Sequence, residues 1–202
     1  MKNKIELKKK DKIIIASHNK GKVTEINFLL KPLKLITIAI SNYSNIEPLE
    51  NGSTFEENAL IKAYHANRLT GLNSLSDDSG LCIEALNGDP GVLSARWAGK
   101  EKNFIKAMDK IKEKLLNEKN TKAYFTCSLA LVTKNKEAFC FTGKIHGRLR
   151  FPPKGNNGFG YDPIFIPKNY KKSFGEMASI EKDKISHRTI AFNKLKEAII
   201  VK

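Results

Sequence analysis

The sequence predicts a mixed α/β domain built around a curved central sheet. In the first half of the chain, short apolar runs alternate with stretches of helical periodicity, and in the second half a run of alternating polarity is followed by a second run that reads as a strand. Helices packed on a sheet produce this combination of patterns. Hydrophobic residues make up 41% of the 202 residues, which is sufficient for the core of one domain.

The first half of the chain is predicted to alternate strands and helices. Residues 13–16 (IIIA) and 35–40 (LITIAI) are short apolar runs typical of buried strands. Apolar residues at helical spacing between them predict a helix that ends at a proline. Ser53 and Thr54 each precede a glutamate by three residues, which is capping-box spacing. They predict the start of a second helix, which ends at Gly71.

The second half is predicted to contain paired strands between two helices. Residues 73–76 form a short strand that leads into two adjacent aspartates. Apolar residues at helical intervals over 104–115 predict an amphipathic helix with lysines on its other side. Residues 123–131 alternate in polarity, and 138–145 read as the neighbouring, antiparallel strand. Residues 189–201 are predicted to form a closing helix.

The acidic residues are concentrated in one segment of an otherwise basic chain. The chain carries a formal charge of +15, whereas residues 41–91 contain eight acidic and two basic side chains. Asp77 and Asp78 are adjacent in this segment. Mg²⁺ prefers carboxylate oxygens, water and phosphates as ligands, while lysine and arginine hold phosphates. The pattern suits a magnesium-dependent enzyme acting on a polyphosphate; the alternative is that residues 77–80 (DDSG) form an ordinary surface turn.

Several function classes are disfavoured by composition. No stretch approaches the ~20 apolar residues of a membrane span. The lysines are scattered and no nucleic-acid-binding motif is present, so we expect no specific nucleic-acid partner. The chain has three cysteines, Cys82, Cys127 and Cys140, and their odd number and wide spacing indicate neither a zinc site nor a disulfide framework, which fits a reducing cytoplasm. Each has apolar neighbours, so all three are predicted to be buried. Residues 1–11 are predicted to be a lysine-rich N-terminal extension, and 12–202 a single domain.

Residues 17–22 (SHNKGK) lie between a predicted strand and a predicted helix. A helix N-terminus offers unpaired N–H groups and the positive end of a dipole, which favours phosphate. Ser17 and Asn19 can orient the turn, and Lys22 can reach phosphate oxygens. The segment is not a P-loop, because Gly-x4-Gly-Lys-Ser/Thr is absent. The alternative is a simple helix start with solvated lysines.

The acidic segment supplies the candidates for catalysis. Asp78 suits a general base and a metal ligand, and Glu50 suits a second ligand if its loop folds back. Lys62 either points to the same phosphates or lies along the surface. Glu56 and Glu57 are expected to be helix-capping and solvated side chains.

Two later segments carry features of a purine pocket. Residues 155–163 (GNNGFGYDP) combine glycines, which allow close approach of the backbone, with aromatic rings that stack on bases. The alternative is a glycine-rich hairpin with two core aromatics. Lys182, His187 and Arg188 are closely spaced donors, which suit the O6 and N7 acceptors of a 6-oxopurine better than the amino group of adenine.

Six short sequence motifs occur in a characteristic order. Together they make the chain resemble the inosine/xanthosine triphosphate pyrophosphatases, which act on non-canonical purine nucleotides. The resemblance runs from about residue 12 to the C-terminus. The motifs are 17–22, 54–59 (TFEENA), 77–81 (DDSGL), 90–96 (PGVLSAR), 158–163 (GFGYDP) and 186–188 (SHR).

The resemblance implies hydrolysis of ITP, dITP and XTP to the monophosphate and pyrophosphate with Mg²⁺, which keeps these nucleotides out of DNA and RNA. It implies a long, twisted central sheet flanked by helices, two lobes with a cleft between them, and a cytoplasmic homodimer. A related pyrophosphatase for modified pyrimidine or septum-linked nucleotides is the close alternative. A nucleic-acid-binding module is the distant one.

Carried over by position, Asp78 resembles the catalytic proton acceptor and a magnesium ligand, and Glu50 the second ligand. The residues that resemble the substrate contacts are Ser17, His18, Asn19, Lys20, Gly21, Lys22, Lys62, Ser79, Phe159, Gly160, Tyr161, Asp162, Lys182, His187 and Arg188.

Overall fold

A computed structural model describes residues 4–202 and confirms the mixed α/β class. The chain divides into two compact units. Unit 1 contains the described residues up to Asp78 together with Cys127–Gly143 and Arg188–Lys202. Unit 2 contains Ser79–Thr126 and Lys144–His187.

Helices and strands alternate in the first part of the described chain. The strands are β1 (Ile5–Leu7), β2 (Lys12–Ile15), β3 (Ile36–Ala39), β4 (Asn73–Ile83), β5 (Lys122–Val132), β6 (Ala138–Leu149), β7 (Phe165–Pro167) and β8 (Ile199–Val201). The helices are α1 (Lys20–Leu30), α2 (Phe55–Thr70), α3 (Ser94–Trp97), α4 (Phe104–Lys114), α5 (Ser179–Ile185) and α6 (His187–Ala198). One sheet has the strand order β3-β2-β4-β5-β6-β7, and β1 pairs with β8 in a second, two-stranded sheet.

Three sequence predictions are corrected by these bounds. The surface-turn interpretation of residues 77–80 is wrong, because β4 runs through them and both aspartates are buried. The closing helix ends at Ala198, and the last apolar residues form β8 instead. Within the predicted extension, Ile5–Leu7 form a strand parallel to β8, with Ile5 and Leu7 buried; residues 1–3 of that extension lie outside the described residues.

The capping box predicted before α2 is confirmed at Thr54. Its hydroxyl accepts a hydrogen bond from the backbone N–H of Glu57 at 3.1 Å, and the Glu57 carboxylate accepts one from the backbone N–H of Thr54 at 3.2 Å. The same carboxylate accepts hydrogen bonds from Ser53, which lowers the pKa of Glu57. Glu57 therefore fixes the chain entering α2.

The topology of unit 1 places its helices on opposite faces of the sheet. Strand β2 is parallel to both β3 and β4, so the chain moves one way through α1 and returns through α2. Right-handed crossovers in opposite directions put their helices on opposite faces. Accordingly, α1 and α6 pack with Leu75 and Leu129 in one core cluster, whereas α2 packs through Ala59 and Ala63 against Ala130.

Unit 2 has a core rich in aromatic rings. The Phe125 ring lies 4.7 Å from Phe165 and 6.1 Å from Phe174, measured between centroids. Tyr161 joins the same cluster and meets Phe104 of α4 edge-on at 5.2 Å. This cluster is the support for the glycine-rich segment described below.

Cys82 and Cys127 are buried, as predicted, but Cys140 is exposed, because β6 turns this side chain away from the core. The three thiols are free. Across residues 4–202, no helix combines the length and the apolar character needed to cross a bilayer.

Candidate active site

The two aspartates lie where parallel strands of unit 1 end. The register pairs Ile15, the last residue of β2, with Leu75 of β4. Asp77 and Asp78 therefore lie beyond this pair, level with the turn that follows β2. Side chains at the carboxyl ends of parallel strands are the usual position of ligand sites in α/β folds.

Adjacent residues of a strand point to opposite faces, and this alternation gives the two aspartates different surroundings. Asp77 points to the face covered by α1 and α6, and its carboxylate is fully buried. It accepts Lys22 Nζ at 2.6 Å, Arg188 Nε at 2.8 Å and the Cys127 thiol at 2.9 Å. Arg188 in turn pairs with Glu25 of α1. Two carboxylates and two cations thus form a buried, charge-balanced cluster.

The charges in this cluster stabilise one another. Burial alone raises the pKa of Asp77, but Arg188 and Lys22 lower it by more, so that the pKa lies well below the ordinary aspartate value. Burial and the negative charge of Asp77 raise the pKa of the Cys127 thiol. The thiol therefore stays protonated and donates to the carboxylate.

Asp78 points to the face covered by α2. On this face the Ser76 hydroxyl donates to the Ala59 carbonyl at 2.5 Å, which ties the helix closely to the strand. Lys62 lies one turn further along α2, and its ammonium group donates to Asp78 Oδ1 at 2.9 Å and contacts Glu50 Oε1 at 2.6 Å. The loop before α2 does fold back, and it brings Glu50 to the same cation as Asp78.

The ionisation of Asp78 is governed mainly by burial. Burial raises the pKa of Asp78, and the positive charges of Lys62 and Lys22 oppose the shift only in part. For Lys62 burial lowers the pKa, but Asp78 and Glu50 raise it by more, so the amine is held as a cation. Asp78 is therefore more basic than an ordinary aspartate, while remaining beside a fixed positive charge.

The turn after β2 has the form expected of a helix start. The Asn19 side chain caps α1 by accepting from the Lys22 N–H at 3.2 Å, and Ser17 Oγ accepts from the Asn19 N–H at 3.2 Å. Lys20 and Gly21 begin α1, with Lys20 exposed. The solvated-lysine interpretation does not hold for Lys22, since its ammonium group contacts Asp77.

His18 is turned toward the loop that carries Glu50. Its Nε2 lies 2.8 Å from the Ser44 carbonyl oxygen, and its Nδ1 lies 3.3 Å from Glu47 Oε1. The side chain is 18% exposed. The ring therefore connects the turn after β2 with the loop that enters α2.

The donor set around Asp78 fits a divalent cation that brings further ligands with it. Oδ2 of Asp78 is buried without a hydrogen-bond partner in the described part of the chain. Within residues 4–202 no cluster of three or more His, Cys, Asp or Glu side chains is suited to hold a metal. Asp78 and Glu50 supply two carboxylates, which is the usual protein share for Mg²⁺ when phosphates and water complete its octahedron.

In unit 2, Asp162 organises the glycine-rich segment. Its Oδ2 accepts from the Phe159 N–H at 2.8 Å and from Lys182 Nζ at 2.7 Å. Gly158 has a φ of +74°, and a Cβ there would collide with the same carboxylate, so glycine is required. The loop is thus held in one shape, with Asp162 and Lys182 both buried.

Aromatic rings surround the remaining residues of the predicted base pocket. Lys182 Nζ lies 4.8 Å from the centroid of the Phe159 ring, and the His187 ring stacks on Phe125 with centroids 4.9 Å apart. The Tyr161 ring is buried and its hydroxyl donates to the Ser94 carbonyl at 2.9 Å. Phe159 and Gly160 are half-buried, as is Ser79 of β4.

The structure divides the predicted site residues between the two units. Unit 1 holds Ser17, His18, Asn19, Lys20, Gly21, Lys22, Glu50, Lys62, Asp78 and Arg188; unit 2 holds Ser79, Phe159, Gly160, Tyr161, Asp162, Lys182 and His187. Arg188, predicted beside the base, has its guanidinium against Asp77 and Glu25.

Sequence reasoning missed three partners in this cluster. Asp77 was assigned no role of its own, Glu25 was not singled out, and Cys127 was predicted only to be buried. The spacing of Glu25 three residues after Lys22 on a predicted helix was an available signal, because it places both side chains on one face. No signal of that kind exists for Cys127, which is 50 residues from Asp77.

Comparison with known proteins gives a consistent family. The model of the Ham1 family matches residues 13–198. A dITP/XTP pyrophosphatase of Caulobacter vibrioides is 46% identical over 190 residues, covering 93% of this chain and 97% of that protein. A dITP/XTP pyrophosphatase of Zymomonas mobilis is 42% identical over 192 residues, covering 94% and 92%.

Solved structures agree. A HAM1 protein from Coxiella burnetii superposes with a TM-score of 0.85 at 40% identity, covering 92% of this chain and 96% of that chain. A nucleoside-triphosphatase (dITP/XTP pyrophosphatase) from Mycobacterium abscessus gives a TM-score of 0.75 at 37% identity, covering 91% and 98%.

Proposed function

This chain belongs to the Ham1 family, and from that premise we propose that it hydrolyses the non-canonical purine nucleotides ITP, dITP and XTP to the monophosphate and pyrophosphate. The relatives of similar length that carry the name dITP/XTP pyrophosphatase support the reaction and the substrate class. Removal of these nucleotides keeps them out of DNA and RNA.

The observation that carries the proposal is the arrangement around Lys62. A buried carboxylate with one unsatisfied oxygen, Asp78, and a half-buried one, Glu50, share this cation just beyond the carboxyl end of β2. Two carboxylates with a lysine are suited to a triphosphate and its Mg²⁺. When bound by Asp78 and Glu50, Mg²⁺ offsets negative charge on the phosphates.

The residues of unit 1 then have separate roles. Asp78 accepts a proton from the attacking water, as a buried carboxylate with one oxygen free of hydrogen bonds in the described structure. Lys62 attracts phosphate oxygens. The turn formed by Ser17, Asn19, Lys20, Gly21 and Lys22 offers backbone N–H groups at the start of α1 to the phosphates. Ser79, the first residue of unit 2, is proposed as a further contact to the sugar or phosphates.

The purine base is proposed to be bound by hydrogen-bond donors and an aromatic ring. Lys182 and His187 are the proposed donors to O6 and N7, and Phe159 is the proposed stacking partner, with Gly160 allowing close approach. Arg188 is not included, because its buried guanidinium pairs with Asp77 and Glu25. Asp162 holds Lys182 and the Phe159 backbone in place. Tyr161 contributes by supporting the loop, since its ring is buried in the core of unit 2.

The proposal includes a homodimer in the cytoplasm, with no membrane or specific nucleic-acid partner. Dimerisation is taken from the family resemblance. Three free thiols suit a reducing compartment. Size-exclusion chromatography with light scattering measures the oligomeric state directly.

A pyrophosphate-release assay over a panel of nucleotides tests the function. We expect kcat/KM for ITP, dITP and XTP to exceed that for ATP by about 100-fold or more, because a site built from donors rejects a base without matching acceptors. Equal rates on ATP and ITP would contradict the base assignment. A preference for pyrimidine triphosphates would favour the related pyrophosphatases instead.

A further inference from the structure

The loop of residues 43–50, which carries Glu50, contains no helix or strand. Its large apolar side chains do not anchor it, because Tyr43, Ile46 and Leu49 are 51%, 72% and 79% exposed. Full burial of an Ile or Leu side chain stabilises a structure by about 1.5–3 kcal/mol, and these exposed side chains gain little of it. This loop therefore depends on polar contacts for its position.

Polar contacts hold both ends of the region. At the start, the Ser44 N–H donates to the Ile40 carbonyl at 3.0 Å. Beyond the loop, the Gly52 N–H donates to Asn58 Oδ1 at 2.8 Å. Between these points His18 contacts the Ser44 carbonyl and the Glu47 carboxylate, three residues before Glu50.

The contact with Ser44 determines which ring nitrogen donates. A carbonyl oxygen accepts hydrogen bonds but does not donate them, so Nε2 of His18 is the donor to Ser44 at 2.8 Å. Nδ1 of the same ring lies 3.3 Å from Glu47 Oε1. One side chain therefore contacts two residues of the loop.

We propose that His18 is a positioning residue: its ring contacts Ser44 and Glu47 and thereby holds the loop so that Glu50 lies beside Asp78 and Lys62. This inference rests on the proposed role of Glu50 as the second metal ligand. It replaces the sequence-based expectation that the His18 side chain contacts the substrate. The ring also joins the turn of residues 17–22 to the loop of residues 43–50.

The first test uses the metal-free protein and no substrate. Amide hydrogen exchange over residues 44–52 is compared in the wild type, His18→Leu and His18→Gln, with His146→Leu on β6 as the matched control. We expect about tenfold faster exchange in His18→Leu, since the hydrogen bond to Ser44 and the contact with Glu47 are both lost. The exchange rate of His18→Gln is expected to lie between those of the wild type and His18→Leu, because the glutamine amide can still donate to the Ser44 carbonyl. Unchanged exchange in His18→Leu overturns the inference.

The second test measures the Mg²⁺ dependence of turnover. For His18→Leu we expect the Mg²⁺ concentration at half-maximal rate to rise about tenfold, while kcat at saturating Mg²⁺ stays within about twofold of the wild type. Glu47→Gln is expected to raise this Mg²⁺ midpoint by less than His18→Leu does. Combined with His18→Leu it should raise the midpoint no further, because the two residues act through one contact.

The outcomes separate the inference from the proposed function. Faster exchange with an unchanged Mg²⁺ midpoint overturns the link between His18 and the metal ligand. A raised KM for nucleotide at saturating Mg²⁺ overturns the positioning role in favour of direct substrate contact. Absence of pyrophosphate release by the wild-type protein would refute the proposed function, whereas the exchange result for His18 is read independently of it.

Discussion

Asp77 and Asp78 are adjacent, but we expect their replacement by asparagine to affect different properties, stability for Asp77 and activity for Asp78. Asp77→Asn removes a buried negative charge from between Lys22 and Arg188 and should mainly reduce stability. Asp78→Asn removes a carboxylate that burial already disfavours and should mainly reduce activity. The two variants differ by one position along β4, so composition and helix content are the same in both.

The magnitude for Asp77→Asn follows from its contacts. Loss of one partner of a buried ion pair costs about 3–5 kcal/mol, since the remaining charge stays buried. Arg188 keeps Glu25 as a partner, so we expect the lower end, about 3 kcal/mol. For a chain of this length, 1 kcal/mol shifts Tm by about 2–4 °C, which predicts a decrease of about 6–12 °C.

For Asp78→Asn the sign of the stability change is different. The raised pKa means that the folded protein binds the proton more tightly than the unfolded chain, so the ionised form carries a cost that the neutral amide does not. Lys62 retains Glu50. We expect Tm to be unchanged or slightly raised, and kcat to fall by about 10²–10⁴, the usual contribution of a general base.

The assay is thermal and urea unfolding of the metal-free variants near pH 7.5, with pyrophosphate release from ITP measured in parallel. Asp109→Asn on the exposed face of α4 is the control for the substitution itself. Equal losses of Tm in both variants would refute the argument that strand alternation gives the aspartates different roles. Near wild-type turnover of Asp78→Asn would remove it from the chemistry.

Three further predictions concern stability. Thr54→Ala removes the N-cap of α2 and should lower the free energy of unfolding by about 1 kcal/mol in urea titration; an unchanged midpoint would contradict the capping role. Cys127→Ala removes the donor to Asp77 and should cost about 1.5 kcal/mol, whereas Cys127→Ser, which again offers a donor, should recover part of it; equal loss in both would show that the thiol acts by packing alone. Hydrogen bonds from Ser173 and the nearby Lys154 lower the pKa of Glu176 to about 2. Its contribution is therefore present at neutral pH and lost as the pH falls from about 4 toward 2, so the Tm difference between the wild type and Glu176→Gln should disappear over that range.

The local elements were the most predictable part of the fold. The apolar runs at β2 and β3 and the capping box of α2 are encoded by residues a few positions apart, and all were found. The end of the chain was not. Residues 199–201 continue an apolar pattern that suits a helix or a strand, and pairing with β1 at the other end of the described chain decides for the strand.

The sequence by itself determined the family, through the order of its motifs, and the chemical types at the site: a carboxylate at Asp78, a lysine on α2 and glycines around Phe159. Only the tertiary structure decided that Asp77 is a buried counter-ion, because its partner Arg188 lies 111 residues away. The same holds for His18, whose ring reaches a loop 26 residues along the chain. Strand alternation fixes which face of the sheet a side chain occupies. The charges that the side chain meets there depend on which helices cover that face, and long-range packing decides which helices these are.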